Sequence, residues 1–154
     1  MSRIEERLAE LGLELPPPPQ PLASYVPVVV SGSLAFVSGQ TPTSEGTPLF
    51  TGHVGAEVTL EEARQAAARC ALQALSALRE ALGDLDRVRR IVSVSVFVAS
   101  AAGFVEQPQA ANGASDLLVE ILGDSGRHSR AAIGVSELPL GVPVEVSLIA
   151  EIVS

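Results

Sequence analysis

The chain has 154 residues, a formal net charge of −8 at pH 7 and 47% hydrophobic residues, and its ten Lys/Arg cations are all arginine. This length and hydrophobicity predict one domain with a substantial core. The absence of lysine excludes a Schiff-base lysine or a P-loop lysine, and an acidic chain with 3% aromatic residues lacks the basic and stacking surfaces that nucleic-acid binding requires.

No apolar segment approaches the ~20 residues needed to span a bilayer, and the N-terminal residues lack a signal-peptide pattern. We therefore expect a soluble cytoplasmic protein without membrane contact. Cys70 lies in a helical Ala/Leu pattern, which favours a buried, unreactive thiol. His53 and His128 have no cysteine or acidic partners at ligand spacing, so neither a metal nor an organic cofactor is expected.

The first twenty residues are interpreted as an extension of the domain that follows. Ser2 and Glu5 have the spacing of a capping box at the start of a short surface helix. Residues 16–19 are four consecutive prolines, which favour an extended polyproline segment that is better explained as a stiff spacer than as an SH3 ligand. The predicted organisation is thus an extension over residues 1–20 and one domain over residues 21–154.

The next segments alternate between strand and helix patterns. β-Branched residues at 26–30 and 34–38 flank a polar turn, which predicts a hairpin, and Pro27 places its first strand at a sheet edge or bulge. Residues 41–53 are predicted to form a loop with a short strand near 49–51. A capping box at Thr59 then opens a long amphipathic helix over residues 60–82.

The segment 90–100 has the clearest alternation in the chain. It predicts a strand with Val92, Val94, Val96 and Val98 facing the helices. The opposite face carries Ser93, Ser95 and Phe97, which are uncharged and suit a surface covered by another subunit. A second long helix is predicted over residues 109–122.

The last segment, residues 129–153, is predicted to form two strands joined as a hairpin. Arg130 opens the first strand, and the alternation of the second strand points Glu145 away from its aliphatic face. On paired strands the two side chains could approach one pocket, or they could form an exposed ion pair of little energetic consequence. The whole order of elements predicts an α+β two-layer sandwich, with two main helices on one face of a mixed sheet.

Two separated motifs resemble the Rid family, also called the YjgF or L-PSP family. One motif is Tyr25 followed by residues 37–42, reading VSGQTP, and the other combines Arg130, residues 135–139 (VSELP) and residues 144–146 (VEV). The resemblance covers residues 21–154. It implies a chorismate-mutase-like fold, a homotrimer with sites between subunits, and cofactor-free hydrolysis of 2-imino or enamino acids to 2-keto acids and ammonia.

The resemblance also implies roles for individual residues. Arg130 would bind the substrate carboxylate through its planar guanidinium, and Glu145 would take a proton from the attacking water. The other implied pocket residues are Tyr25, Ser38, Gly39, Asn112 and Ala132.

Departures from the family pattern leave other functions open. Ala132 stands where many family members have cysteine, and Arg127 and His128 add a cation and an imidazole near Arg130. A trimer that binds small carboxylates or a protein partner without turnover is therefore the alternative. The endoribonuclease activity associated with the L-PSP name is disfavoured by the acidic, lysine-free composition.

Overall fold

The computed structural model describes residues 1–20 and 23–154, and within them two helices cover one face of a five-stranded sheet. The helices are α1 (Arg3–Glu10), α2 (Leu60–Leu82) and α3 (Gln107–Leu122). The strands are β1 (Val28–Ser31), β2 (Leu34–Gln40), β3 (Thr43–Ser44), β4 (Thr47–Pro48), β5 (Val88–Ala99), β6 (Ser129–Val135) and β7 (Val144–Ile152). This arrangement is the α+β two-layer sandwich that the sequence predicts.

The ends of α2 follow the residues that cap it. The Thr59 hydroxyl accepts a hydrogen bond from the Glu62 backbone N–H, and the Glu62 carboxylate accepts one from the Thr59 N–H. Gly83 ends the helix in the left-handed region at φ 82°, where a side chain would be strained. The predicted boundaries of this helix are confirmed.

The large sheet has the strand order β1-β2-β7-β5-β6. All neighbours are antiparallel except β5 and β6, which are parallel. The predicted hairpin of β6 with β7 is therefore wrong, because β5 lies between them. Residues 136–143, which contain two prolines, are longer than a tight hairpin turn and carry the chain past the end of β5.

The core lies between the sheet and α2 and α3. Val94, Val96 and Val98 of β5 are fully buried on this face, together with Val144 and Val146 of β7. Val92 was predicted on the same face but is 37% exposed. The pairing of β5 with β7 shifts register between Ile91 and Ser93, so the alternation reverses there and Ile91 is buried instead.

The extension packs against the rest of the chain. Ile4 and Leu8 of α1 join the core cluster, and the Ser76 hydroxyl of α2 donates a 2.6 Å hydrogen bond to the Pro16 carbonyl. The boundary at residue 21 stays a prediction, because residues 21 and 22 lie outside the described residues.

Two local predictions differ from the structure. The strand expected near residues 49–51 is absent, and the short hairpin of β3 and β4 forms just before it, over residues 43–48. Helix α3 begins at Gln107 rather than Gln109 because Pro108 occupies its first turn, where a missing N–H costs nothing. Within the described residues, no helix is both long and apolar enough to cross a membrane.

Helices α2 and α3 approach closely at Gly113. A Cβ atom built on Gly113 would clash with the Arg64 carbonyl oxygen of α2. Glycine is needed here because backbone of the neighbouring helix, rather than a movable side chain, fills the space.

Gly113→Ala should therefore lower the free energy of unfolding by about 1–3 kcal/mol, the usual cost of overpacking. Helix propensity alone predicts the opposite sign, a gain of about 0.5–1 kcal/mol. Urea denaturation of this variant beside Asp116→Ala, an exposed position on the same helix, gives the comparison. A stabilised Gly113→Ala protein would show that the helices can separate freely.

Candidate functional site

Glu145 lies on β7 directly opposite Phe97 of β5, on the sheet face turned away from the helices. Its side chain is half-buried, and this burial raises the pKa of the carboxyl group above its ordinary value of 4.5. Burial has this effect because it disfavours the charged form. A carboxylate with a raised pKa is a better proton acceptor than an ordinary surface carboxylate.

Gly39 and Glu145 are in close contact across β2 and β7. The pairing of these strands shifts register between Val37 and Gln40, which makes residues 38 and 39 a bulge. A Cβ atom built on Gly39 would lie 2.6 Å from Glu145 Oε2. The glycine thus leaves room for the carboxylate, which explains why the SGQ motif and the VEV motif belong to one site.

Ser38 fixes the segment that carries Tyr25. Its hydroxyl donates to the Val26 carbonyl at 2.7 Å, and its backbone N–H donates to the Pro27 carbonyl at 2.9 Å. Tyr25 is 54% exposed and lines the same surface cavity as Gly39. The structure thus brings Tyr25, Ser38, Gly39 and Glu145 into one group.

A cavity of about 460 Å³ lies beside this group. Its walls come from Tyr25 and Gly39, from the proline segment 16–20, and from Arg69 and Gln73 of α2. This volume is within the range of small-molecule pockets. No sequence pattern predicts this cavity, because its walls come from segments that are distant in the chain.

Arg130 lies on the edge strand β6, opposite Val94, and shares the helix-facing side of the sheet with Ala132. Its Nη1 donates to Asn112 Oδ1 at 2.8 Å and to Ser115 Oγ at 3.1 Å. Both acceptors are on α3, three residues apart, so they lie on one helix face. The structure thus brings together Arg130, Asn112 and Ala132 as a second group.

His128 extends this second group through Ser115. His128 Nδ1 lies 2.6 Å from the Gly126 carbonyl oxygen, so this nitrogen carries the hydrogen and donates. In the neutral ring, Nε2 then accepts from the Ser115 hydroxyl at 2.8 Å. The hydroxyl oxygen is left to accept from Arg130. Sequence reasoning noticed His128 but missed Ser115, although its spacing from Asn112 was visible.

Within one chain the two groups do not form a common pocket. Arg130 and Glu145 lie on strands separated by β5, and their alternation places them on opposite faces of the sheet. The expectation that they meet across a hairpin is therefore wrong. The structure instead shows two separate groups, with Arg130 exposed and Glu145 half-buried.

The remaining candidate residues have structural surroundings. Cys70 is fully buried, and this burial, together with the charge of Glu145, raises its pKa well above the usual range, so the thiol is unreactive as predicted. His53 does have acidic neighbours, contrary to expectation: Nδ1 is 3.4 Å from Glu57 and Nε2 is 3.1 Å from Glu137. In the described part of the chain, no three His, Cys, Asp or Glu side chains are grouped to hold a metal ion.

Comparison with known proteins identifies the family. A family model described as "YjgF/chorismate_mutase-like, putative endoribonuclease" matches residues 5–152. The chain belongs to the YjgF/chorismate-mutase-like family. The matched region starts within α1, so this family model includes the extension together with both groups of site residues.

Individual relatives of this YjgF-like chain agree in sequence and in structure. Protein TCP17 of Trypanosoma cruzi is 46% identical over 151 residues, covering 97% of this chain and 94% of that protein. A crystal structure of a protein with unknown function from Agrobacterium tumefaciens is 45% identical with a TM-score of 0.89, covering 97% and 91% of the two chains. A crystal structure described as a "putative endoribonuclease" from Shewanella oneidensis is 38% identical with a TM-score of 0.93, covering 97% and 99%.

Replacing Glu145 with Gln should increase the free energy of unfolding at pH 7, because the buried charge is removed while the shape is kept. Because the folded-state pKa of Glu145 is raised, its charged form destabilises the folded protein at pH values above that pKa. This destabilisation disappears as the pH falls through the folded-state pKa and below 4.5. The stability difference from wild type should therefore shrink in acid.

Urea denaturation at several pH values measures this difference. Glu151→Gln is a matched control on the same face of β7, where the carboxylate lies 3.7 Å from Arg89 and gains nothing from neutralisation. Equal stability of wild type and Glu145→Gln at pH 7 would contradict the burial of the charge.

Proposed function

We propose that the protein is a cofactor-free hydrolytic deaminase that converts 2-imino or enamino acids into 2-keto acids and ammonia. The observation that carries this proposal is the half-buried Glu145 carboxylate, whose pKa is raised by burial and which lies against Gly39 beside a cavity. Such a group can hold a proton that it takes from water and later releases to a leaving amine. Family membership adds support, since archetypal Rid proteins catalyse this reaction.

In the proposed reaction, Arg130 binds the substrate carboxylate through its guanidinium. Asn112 and Ser115 orient the guanidinium by accepting from Nη1, which leaves its other donors for a bidentate contact. This fixes the electrophilic imine carbon relative to Glu145. Binding of the carboxylate thus positions the imine carbon for attack by water. The proposed reaction needs no covalent nucleophile from the protein.

Glu145 then accepts a proton from water as the water oxygen forms a bond to the imine carbon. The substrate reacts as its protonated iminium, so the electron pair of the C=N bond moves to nitrogen and gives a neutral carbinolamine. Glu145 returns its proton to the amino group, and the C–N bond breaks as the hydroxyl proton passes to a water molecule. The hydroxyl oxygen becomes the keto oxygen, and ammonia leaves. One water is consumed and no oxidant or metal is needed. Tyr25, which lines the cavity, would donate a hydrogen bond to the leaving nitrogen.

We propose that the complete site forms between subunits of a homotrimer. Glu145 of one chain would work with Arg130 of the partner subunit, because the two groups face opposite sides of their own sheet. The face around Glu145 is rich in uncharged residues, and Phe36 and Ile133 are 40% and 48% exposed. Apolar surface of this kind favours burial against another subunit.

The Shewanella oneidensis protein is described as a "putative endoribonuclease", but this chain has few features that would support such an activity. Its net charge is −8 and it has no lysine to neutralise phosphates. The stronger alternative is a trimer that binds carboxylates without turning them over. Release of ammonia and keto acid from enzymatically generated 2-imino acids distinguishes these alternatives.

Arg130 and Glu145 should differ in the kind of defect that their replacement causes. Arg130→Ala should abolish both turnover and 2-keto acid binding, and Arg130→Lys should restore little, because an ammonium cannot reproduce the planar fork. Glu145→Gln should reduce turnover by roughly 100- to 10,000-fold while binding persists. Calorimetric titration beside ammonia release measures both. Normal turnover by Glu145→Gln, or normal binding by Arg130→Ala, would remove the corresponding role.

Mixing the two inactive variants should restore activity if the site is shared between subunits. A trimer containing Arg130→Ala and Glu145→Gln chains has intact sites wherever the unchanged Glu145 of one chain meets the unchanged Arg130 of the partner subunit. Random mixing after denaturation and refolding should give about one intact site in four. Activity no greater than the sum of the separate variants would argue against the shared site, provided that native mass spectrometry shows that mixed trimers have formed.

A further inference from the structure

One cation lines the cavity beside Glu145 and is unused in the reaction described above. This cation is Arg69, on the middle of α2, and Glu45 is the single carboxylate among the described residues of the cavity wall. Gly39 belongs to the same wall and touches the Glu145 carboxylate. Gly39, one residue of this wall, thus lies between the cavity that Arg69 borders and the Glu145 carboxylate.

Backbone contacts fix the orientation of Arg69. Its Nε donates to the Thr43 carbonyl oxygen at 2.9 Å. Gln73, one helical turn further along α2, holds the same loop by donating to the Thr41 carbonyl at 2.7 Å and accepting from the Thr43 N–H at 3.1 Å. The guanidinium is thus positioned by a loop that its own helix anchors, which reduces the entropy cost of binding a ligand.

The terminal nitrogens of Arg69 have no hydrogen-bond acceptor and no carboxylate within 4.0 Å among the residues that the structure describes. Half of the arginines do have such a partner: Arg3, Arg7, Arg79, Arg89 and Arg127 each lie beside an Asp or Glu. In a chain with a net charge of −8, a half-buried arginine without a carboxylate beside a cavity is a site for an external anion.

We propose that Arg69 binds a second, distal carboxylate, so that the preferred substrates are imino or enamino derivatives of 2-keto dicarboxylic acids. This inference rests on the proposed deaminase function, which assigns the carboxylate next to the reacting carbon to Arg130 of the partner subunit. The distal carboxylate takes the two free Nη groups of Arg69 as a planar fork. The volume of about 460 Å³ leaves space for a chain between the two ends.

Two 2-keto acids of equal chain length test the inference: 2-oxopentanedioate, which has the distal carboxylate, and 2-oxopentanoate, which lacks it. Calorimetric titration of the wild-type protein should show roughly ten- to hundredfold tighter binding of the diacid, the range of one charge-assisted interaction. Arg69→Gln should remove this preference and leave the affinity for 2-oxopentanoate unchanged. Arg69→Lys, which keeps the charge, should retain part of the preference.

Arg64→Gln is the matched control. Arg64 lies on the same helix, its Nε also donates to a backbone carbonyl, that of Gln109, and it is outside the cavity wall. Its replacement should leave the affinity for both acids unchanged. Equal wild-type affinity for the two acids, or an equal loss of both in Arg69→Gln, would overturn the distal site.

Failure of this inference and failure of the deaminase proposal have different signatures. If the protein prefers the diacid through Arg69 but releases no ammonia from any imine, the deaminase proposal fails and the distal site is supported. The opposite outcome is that wild type and Arg69→Gln both hydrolyse the imines of the two acids with the same kcat/KM. This result would support the deaminase function and exclude the distal site.

Discussion

The position of β5 between β6 and β7 determines what this chain can do alone. The three strands form one hydrogen-bonded ladder, and the strict alternation of side chains along them sends Arg130 to the helix side and Glu145 to the open side. No side-chain movement within the chain can reverse a strand face, since that would require a shift of register through a buried core. Within one copy of the chain the two groups therefore face separate surfaces, and for this reason the proposed reaction takes them from two copies.

Sequence patterns that extend over only a few residues predict much of the fold. The helix boundaries at Thr59 and Gly83, and the buried valines of β5 after Ile91, follow from capping and alternation that act within a few residues. Strand order does not follow from such patterns, because the sequence of β6 and β7 suits a hairpin as well as two strands separated by β5. Val92 was misplaced for a related reason, since a bulge depends on how the partner strand is paired.

Only those residues of the candidate site that match family motifs or the family pattern could be predicted from the sequence. Those motifs name Arg130, Gly39 and Glu145, the family resemblance adds Asn112, and the structure adds the contacts that make them two groups. Ser115 and His128 carry no motif, yet they set the hydrogen-bond direction around the guanidinium. The second group therefore depends on contacts that no sequence motif marks.

A hydrogen bond between the proline segment and α2 makes the extension part of the cavity wall. Ser76 holds the Pro16 carbonyl, and residues 16–20 supply one wall of the cavity, while neither group of site residues lies in the extension. A homologue that began after residue 20 would keep the reacting groups and lose that wall. Changes in the N-terminal segment could therefore alter the shape of this cavity, while the strands that carry Arg130 and Glu145 stay unchanged.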